Sequence, residues 1–244
     1  MRHLCLPTIA IDTTAPIAVD AATRHRLRRV LRLEAGVLLQ VTDGRGSRRC
    51  CEWTGATLVG VEAPTWQPRP RPRVEIAAGL IKGPRWETLI EKCVEVGVDR
   101  IVPLALSRSV VRLASERAAD KQERWQDLAI AALEQCGRCW LPEIAPLADL
   151  ATWLAETTCP RRYFGDEAGA GPALQSLLRD QNATDIAIAV GPEGGFSEAE
   201  RSTLVAGDVR PVQLADAILR AETAAIVAAT LAIAATRPTG LRGG

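Results

Sequence analysis

Apolar and polar positions follow a short, strand-like pattern up to about residue 66. The segment VLLQVTDG (37–44) alternates apolar and polar residues and ends in Asp-Gly, a strong turn signal. The segment 51–63 predicts one or two further strands. One short helix over 23–33 interrupts them, with Leu27, Val30 and Leu31 on its apolar face. This part of the chain is therefore predicted to be a small β-barrel with one helix.

From residue 74 onward, apolar runs of strand length alternate with helical patterns. Strands are predicted at 74–80, 100–106, 161–164, 185–190 and 209–214, and helices at 83–98, 115–138, 147–156, 171–180, 197–207 and 221–235. Such alternation predicts an α/β fold with a parallel sheet covered on both faces. The Pro-rich stretch 64–73 is typical of a linker, so we expect one domain over 1–72 and another over 73–244.

Two loops are predicted at the carboxyl ends of strands, where ligands bind in sheets of this kind. The first, GPEGGF (191–196), has glycines at 191, 194 and 195, which leave no Cβ in the way of a ligand. Ser197 and Glu200 form a capping-box pattern directly after it. The loop lacks the spacing of a Walker A or GxGxxG motif. It predicts a small-molecule pocket, with a plain strand-to-helix turn as the alternative.

The second loop, ADAILR (215–220), precedes a nearly uncharged, alanine-rich helix. A helix without a polar face is buried, often against another subunit. Arg220 and Glu222 stand where this helix begins. Either the two side chains pair with each other, or Arg220 faces a phosphate or a polar substrate at the mouth of a pocket.

The charge of the chain is unevenly distributed. Residues 1–72 carry eleven arginines against six acidic residues, whereas 73–244 carry 19 basic against 23 acidic residues. Arg24, Arg28 and Arg32 recur at helical spacing in the basic part. The excess indicates either a module that binds a polyanion or an ordinary solvated basic face.

Cysteine usage and hydropathy bear on the compartment and on redox chemistry. The seven cysteines, the absence of a signal-peptide pattern and the absence of an apolar run of membrane-spanning length predict a cytosolic protein with reduced thiols and no membrane association. The motif CGRC (136–139) has thioredoxin-like spacing, but it ends a predicted helix instead of opening one, which disfavours a redox role. His3 and His25 lack ligand-like spacing, so no metal site is predicted.

Several motifs in one order carry a resemblance to a known family. GPEGGFSEAE followed by ILRAETAA closely resembles the RsmE family, the 16S ribosomal RNA (uridine-N3)-methyltransferases of the SPOUT superfamily. RHRLRRVLRLEAG and VTDGRG are similar to its amino-terminal RNA-binding barrel, and IKGPRWETLIEKCVEVGV and ERWQDLAIAALEQCGR to its middle motifs. The resemblance implies a SPOUT-type, trefoil-knotted parallel-sheet domain preceded by a small PUA-like β-barrel. It also implies S-adenosylmethionine as cofactor, 16S rRNA or the small ribosomal subunit as partner, and a homodimer with the last helix in the interface.

The resemblance also assigns residues to roles. Cofactor binding is implied for Phe164, Gly165, Val190, Gly191, Gly194, Gly195, Leu214, Ala215, Ile218, Leu219, Arg220 and Thr223. Because N3 of uridine must lose a proton, Glu193, Glu222 or a bound water is a candidate base, and Arg220 a candidate stabiliser of the anion. RNA binding is expected of Arg24, Arg28, Arg29, Arg32, Arg108 and Arg112. For Arg108 and Arg112, surface solubility is an equal alternative.

Two departures from the family pattern motivate a second hypothesis. Ala215 and Ala217 stand where the family usually has Gly and Arg, so Ala215 either crowds the cofactor or requires a shifted backbone. A non-catalytic RNA-binding or ribosome-assembly protein that retains the SPOUT fold is therefore the alternative to a methyltransferase. A nucleotide-dependent oxidoreductase would need a dinucleotide fingerprint that this sequence lacks.

Overall fold

A computed structural model describes residues 1–13, 15–111, 115–167, 171–178 and 184–237. They pack as two units: an amino-terminal unit, Met1–Arg69 with Leu133–Leu141, and a carboxyl-terminal unit, Pro70–Ala132 with the chain from Pro142 onward. Residues 133–141 fall in the second domain of the division expected from sequence. In the structure they pack in the amino-terminal unit, since Gly46 N–H donates to the Cys139 carbonyl and Leu141 N–H to the Gly44 carbonyl, both at 2.9 Å.

The amino-terminal unit is built on one six-stranded sheet. Its elements are β1 (Arg2–Cys5), β2 (Ile17–Ala18), α1 (Ala21–His25), β3 (Val37–Thr42), β4 (Ser47–Trp53), β5 (Thr57–Gly60) and β6 (Thr65–Trp66). The strand order is β1-β3-β4-β5-β2, with β6 also paired to β4. The β1–β3 pair is parallel and the others are antiparallel. Leu27, Leu39 and Trp53 lie in the buried core of this unit.

The helical segment of this unit differs from its prediction in one respect. After α1 the chain continues as a π-helical turn, Arg26–Val30. Leu27 is buried as predicted, but Val30 is 65% exposed, so its assignment to the apolar face is wrong. A π-helical turn is wider than an α-helical one, and it rotates later residues away from the face that a spacing of 3.6 residues would give them.

The carboxyl-terminal unit has the predicted α/β alternation. Its elements are β7 (Val74–Gly79), α2 (Gly83–Val96), β8 (Arg100–Leu104), α3 (Ser115–Cys136, whose last turn belongs to the amino-terminal unit), β9 (Glu143–Ile144), α4 (Leu150–Glu156), β10 (Arg161–Gly165), α5 (Leu174–Leu178), β11 (Ile186–Val190), α6 (Glu198–Ala206), β12 (Arg210–Val212) and α7 (Ala221–Thr236). The six strands run parallel in the order β12-β10-β11-β7-β8-β9, which confirms the predicted parallel sheet.

The centre of this sheet is buried, because every residue of β7 and β11 is buried, and the one charged residue of these strands, Glu75, is paired with Arg100 at 2.8 Å. Helix α7 packs against α2, α5, β7 and β11. Ala225, Ala228 and Ala229 on α7 are completely buried, and their small side chains allow close approach of the neighbouring elements. Within the described ranges, no helix is both long enough and apolar enough to cross a membrane.

Candidate active site

A cavity of about 400 Å³ opens at the carboxyl ends of β10, β11 and β12. Its wall comprises the end of β10, the glycine loop (residues 191–195), the 214–220 loop and the first turn of α7. The lining residues are Gly165, Asp166, Glu167, Val190, Gly191, Pro192, Glu193, Gly195, Phe196, Gln213, Leu214, Ala215, Asp216, Ala217, Ile218, Leu219, Arg220, Ala221 and Ala224. The two loops that the sequence pattern singled out therefore meet at one cavity.

Most of the residues implied as cofactor-binding lie in this wall. The structure brings together Gly165, Val190, Gly191, Gly195, Leu214, Ala215, Ile218, Leu219 and Arg220, and Glu193 lies beside them. Phe164, Gly194, Thr223 and Glu222 are not among the lining residues. The Phe164 ring is buried and meets the Phe196 ring edge-on, with their centroids 5.8 Å apart. Phe164 thus supports a lining residue from behind.

The glycine loop is held by the start of α6. The predicted capping box is confirmed: the Ser197 hydroxyl accepts the Glu200 N–H at 3.3 Å, and the Glu200 carboxylate accepts the Ser197 N–H at 2.8 Å. Glu200 also accepts the Ser107 N–H at 2.7 Å. Partial burial acts to raise the pKa of Glu200, but the hydrogen bonds from Ser107 and Ser197 outweigh it and lower the pKa. These hydrogen bonds therefore fix the end of the glycine loop to the start of α6, and α6 to the segment that follows β8.

Two positions of the glycine loop require glycine. Gly195 has a φ of +65°, a conformation that side-chain-bearing residues adopt at a cost of about 1–2 kcal/mol. A Cβ on Gly191 would approach the Gly195 Cα and carbonyl carbon at 3.0 Å. The loop thus folds back on itself too tightly for a side chain at 191, and its backbone is left open to the cavity.

Arg108 contacts the same loop, although it was predicted to lie on an RNA path. Its Nη1 donates to the carbonyl oxygens of Gly194 at 2.9 Å and Phe196 at 3.3 Å. These bonds give Arg108 a structural task in fixing the loop, and an RNA contact by this residue stays a prediction. Arg112 lies outside the described residues.

The cavity wall carries more negative than positive charge. Asp166, Glu167, Glu193 and Asp216 line it, together with Arg220. Arg201 pairs with Asp166 and lies 3.4 Å from Glu167 Oε1. Sequence reasoning missed Asp166 and Glu167, although two acidic residues directly after a buried strand are a usable signal for this edge of the sheet.

Arg85 on α2 connects the two candidate bases. Its Nη1 lies 3.4 Å from Glu193 Oε1, and its Nε lies 4.0 Å from Glu222 Oε1. The other carboxylate oxygen of Glu222 is buried and has no hydrogen-bond partner among the described residues. The suggested pairing of Glu222 with Arg220 is wrong, since Glu222 faces Arg85. Sequence reasoning did not identify Arg85, because it lies 108 positions from Glu193.

Arg220 stands at the N-cap position of α7, where its side chain makes no capping bond. Within the described part of the chain, the Arg220 side chain has neither an ion pair nor a hydrogen bond. An exposed guanidinium at the rim of a cavity is a suitable donor for a phosphate or for a developing anion.

The backbone conformation at Ala215 shows whether alanine fits a position where the family usually has glycine. Among the described non-glycine residues, only Arg32 and Asp208 have positive φ. Ala215 therefore adopts a conformation that alanine tolerates. Its methyl group still lies in the cavity wall.

The cysteines and possible metal ligands lie apart from this cavity. All seven cysteines are described and unpaired. Burial raises the pKa of Cys139, while the charges of Arg48 and Arg138 act against that rise; its thiol contacts Gln67 Oε1 at 3.1 Å. No group of three or more His, Cys, Asp or Glu side chains in the described ranges is arranged to hold a metal ion.

The arginines predicted to bind RNA in the amino-terminal unit are all exposed. They are Arg24, Arg28, Arg29 and Arg32, on α1 and the segment after it. Arg24 also donates to the Val19 carbonyl at 3.2 Å. Their contact with RNA stays a prediction.

Comparisons with known proteins agree with this geometry. Residues 67–233 match the family model described as an RNA methyltransferase domain. The ribosomal RNA small subunit methyltransferase E of Synechocystis is 32% identical over 236 residues, 93% of this chain and 75% of that protein. The protein of the same name from Bacillus subtilis is 29% identical, covering 89% of this chain and 90% of that protein.

A solved structure gives the same result at the level of the fold. A putative methyltransferase from Legionella pneumophila, in complex with bound S-adenosylmethionine, superposes with a TM-score of 0.86 at 26% identity, covering 96% of this chain and 97% of that one. With a family model that matches most of its length and a relative above 30% identity, this chain belongs to the ribosomal RNA small subunit methyltransferase E family.

Proposed function

We propose that the protein transfers a methyl group from S-adenosylmethionine to N3 of a uridine in the 16S rRNA of the small ribosomal subunit. The observation that carries this proposal is the cavity at the carboxyl edge of β10–β12, formed by the glycine loop and the 214–220 loop. Membership of the small subunit methyltransferase E family supports the substrate class. The cofactor bound to the Legionella structure supports the methyl donor.

The residues of the cavity suit S-adenosylmethionine. Gly165, Gly191 and Gly195 carry no side chain, so the backbone of the cavity wall would contact the adenosine part directly. Leu214 and Leu219 supply apolar surface for a flat ring. Asp216, the one wall carboxylate without an ion pair in the described part of the chain, suits a ligand that carries a positive sulfonium and an ammonium group. When bound, this cofactor supplies an electrophilic methyl group.

The chain's own task is to position the uracil ring and to remove its N3 proton. Glu193 lies in the cavity wall, so we assign it as the general base. Glu222, which lies outside the wall, holds Arg85 in place against Glu193. Arg220 then stabilises the negative charge that develops on the uracil oxygens. In-line methyl transfer depends mainly on such positioning.

The assignment of the base is tested by two isosteric variants. We expect Glu193→Gln to lower kcat by about 100-fold or more, because an amide cannot accept the N3 proton. Glu222→Gln should have a smaller effect, since it weakens only the contact with Arg85. Single-turnover methylation of small subunit rRNA measures both, with Glu198→Gln, exposed on the first turn of α6, as the control. Equal activity of the Glu193 and Glu198 variants would contradict the assignment.

The proposal includes a trefoil knot in the carboxyl-terminal unit. Strand β12 lies at one edge of the sheet, yet α7 packs on β7 and β11 and on α2. The chain after β12 must therefore cross back past β10. It does so through the 214–220 loop, at the carboxyl ends of the strands, where the glycine loop also lies. This return path supports a threaded topology, which is otherwise very rare in proteins.

The amino-terminal unit is proposed to be a PUA-like module that holds rRNA. Its exposed arginines support binding to the phosphate backbone. We expect the Arg28→Ala/Arg32→Ala double variant to bind rRNA more weakly and with a smaller salt dependence, by about 0.7–0.9 in log–log slope for each lost phosphate contact. Filter binding at several salt concentrations measures the slope. An unchanged slope would remove these two side chains from the RNA interface.

Two further properties belong to the proposal. A homodimer through α7 is supported by the apolar side chains Ile226, Val227 and Ile233, which are only partly buried on this nearly uncharged helix, and by Ile218 in the preceding loop, which is 85% exposed. A cytoplasmic location follows from the rRNA substrate, and the seven unpaired thiols are compatible with a reducing compartment.

Titration calorimetry with S-adenosylmethionine tests the proposed function against a non-catalytic assembly protein that retains the fold. Ala217, which stands in place of a family arginine, motivates that alternative. We expect saturable binding at one site per chain. No heat of binding at millimolar cofactor would contradict the methyltransferase proposal and favour the alternative.

A further inference from the structure

The amino-terminal unit displays a large aromatic side chain on its surface. Trp66 forms half of the two-residue strand β6 and is 64% exposed. Because burying a tryptophan stabilises a fold substantially, an indole left in water on a folded unit is a candidate binding group. Its backbone is fixed by pairing with β4, so the ring is presented from a sheet edge and not from a free loop.

The register of β6 shows what lies beside this ring. Trp66 is directly opposite Ser47, and residues opposite each other on antiparallel strands project from the same face. Ser47 lines a cavity of about 340 Å³ in the same unit, together with residues 7–12, Asp43 and Arg45. Trp66 is thus the cross-strand neighbour of a residue that lines this cavity.

The charges around this cavity are mixed. Arg45 is exposed, and within the described part of the chain its side chain forms no ion pair. Asp43 Oδ1 accepts the N–H groups of Arg45 at 2.7 Å and of Ser47 at 3.0 Å, which orders the rim. Asp12 adds a second, exposed carboxylate. The inner wall therefore disfavours a phosphate but offers acceptors to the N–H groups of a base, while Arg45 offers a phosphate contact at the rim.

We propose that Trp66, Arg45 and this cavity form a binding site for an unpaired nucleotide of the RNA substrate, in the amino-terminal unit. The base stacks on the Trp66 indole and directs its amino group at the carboxylates, and the adjoining phosphate pairs with Arg45. Stacking on an aromatic side chain is the usual means by which proteins hold unpaired bases. The site is separate from Arg24, Arg28, Arg29 and Arg32, and the proposal rests on rRNA being the substrate.

An RNA occupant is favoured over a protein partner because Trp66 is, among the described residues, the one exposed aromatic ring beside a cavity of mixed character, where Pro7, Ile9 and Ala10 alternate with the charged groups of Asp12, Asp43 and Arg45. A stable protein interface needs a larger contiguous apolar patch than a single indole. A stacked base needs only a flat face of that size with a cation nearby, and Trp66 and Arg45 supply both.

Fluorescence anisotropy with a labelled eight-nucleotide oligocytidylate tests the site in the full-length protein. We expect Trp66→Ala to weaken binding by about 5- to 100-fold, the range seen when a stacking residue is removed. Trp66→Phe should retain most of the affinity, because it keeps a flat ring. The matched control is Leu38→Ala, which removes another exposed apolar side chain of the same sheet. Arg45→Ala should reduce the salt dependence, and an RNA duplex of the same length should bind equally to wild type and Trp66→Ala.

Equal affinities of the Trp66→Ala and Leu38→Ala variants for the single strand would overturn the proposal and leave a protein partner as the occupant. The proposal would also be overturned if Trp66→Ala weakened binding of the duplex as much as binding of the single strand. Calorimetry with S-adenosylmethionine on the same Trp66→Ala protein should give the wild-type affinity. Failure of the wild type to methylate rRNA would refute the proposed function, an outcome that is distinct from the oligonucleotide result.

Discussion

The Arg220→Ala variant is expected to lose about 100- to 1,000-fold in the rate of methyl transfer while keeping its fold, the range observed when one preorganised donor to a developing anion is removed. The reason is the position of this side chain. It lies at the rim of the cavity, at the N-cap of α7, without an ion pair in the described part of the chain. Its removal therefore breaks no hydrogen bond or ion pair within the described part of the chain.

Single-turnover methylation of small subunit rRNA measures this loss, and circular dichroism checks the fold. Arg210→Ala is the matched control, because Arg210 is an exposed arginine at the first position of β12 and does not line the cavity. Arg220→Lys should recover only part of the activity, since an ammonium keeps the charge but not the planar fork of donors. Activity of Arg220→Ala equal to that of Arg210→Ala would exclude Arg220 from catalysis.

The Gly195→Ala variant is expected to weaken S-adenosylmethionine binding by about tenfold, equivalent to 1.4 kcal/mol. Alanine at this position would have to adopt a positive φ, which is unfavourable for a residue with a side chain. Its methyl group would also overlap the Glu167 carboxylate in the cavity wall. The loop has to shift, or the Glu167 side chain has to move within the cavity. Either change disturbs the backbone that lines the cavity.

Gly83→Ala provides the control for this substitution. A Cβ on Gly83 has nothing within 4 Å, and the residue lies at the start of α2, away from the cavity wall. Titration calorimetry of both variants compares the two positions directly. Wild-type affinity in Gly195→Ala would show that the cofactor does not depend on the conformation of the glycine loop.

Local patterns predicted the sheet of the carboxyl-terminal unit and the loops at its functional edge. Apolar runs such as 74–79 and 186–190 are long and unambiguous, and the Ser197–Glu200 capping box is contained within four residues. Signals of this kind survive in the sequence because the residues that cause them are neighbours in the chain.

Features that depend on distant residues were not predictable in the same way. The two-residue strands β6 and β9 have too few positions to show a period. The packing of 133–141 with the turn at Gly44–Gly46 joins segments about ninety residues apart. Arg85 reaches Glu193 and Glu222 only because α2, the glycine loop and α7 meet in space. Val30 was misplaced because a π-helical turn has no distinct sequence period.

Methylation of uridine N3 in small subunit rRNA by this chain would leave a modified nucleoside that can be measured in cells. Mass spectrometry of nucleosides and of nuclease fragments of 16S rRNA, from cells with and without the protein, tests it most directly. We expect one N3-methyluridine to disappear from 16S rRNA when the protein is absent, and the wild type, but not Arg220→Ala, to restore it. An unchanged content of N3-methyluridine in cells lacking the protein would contradict the claim.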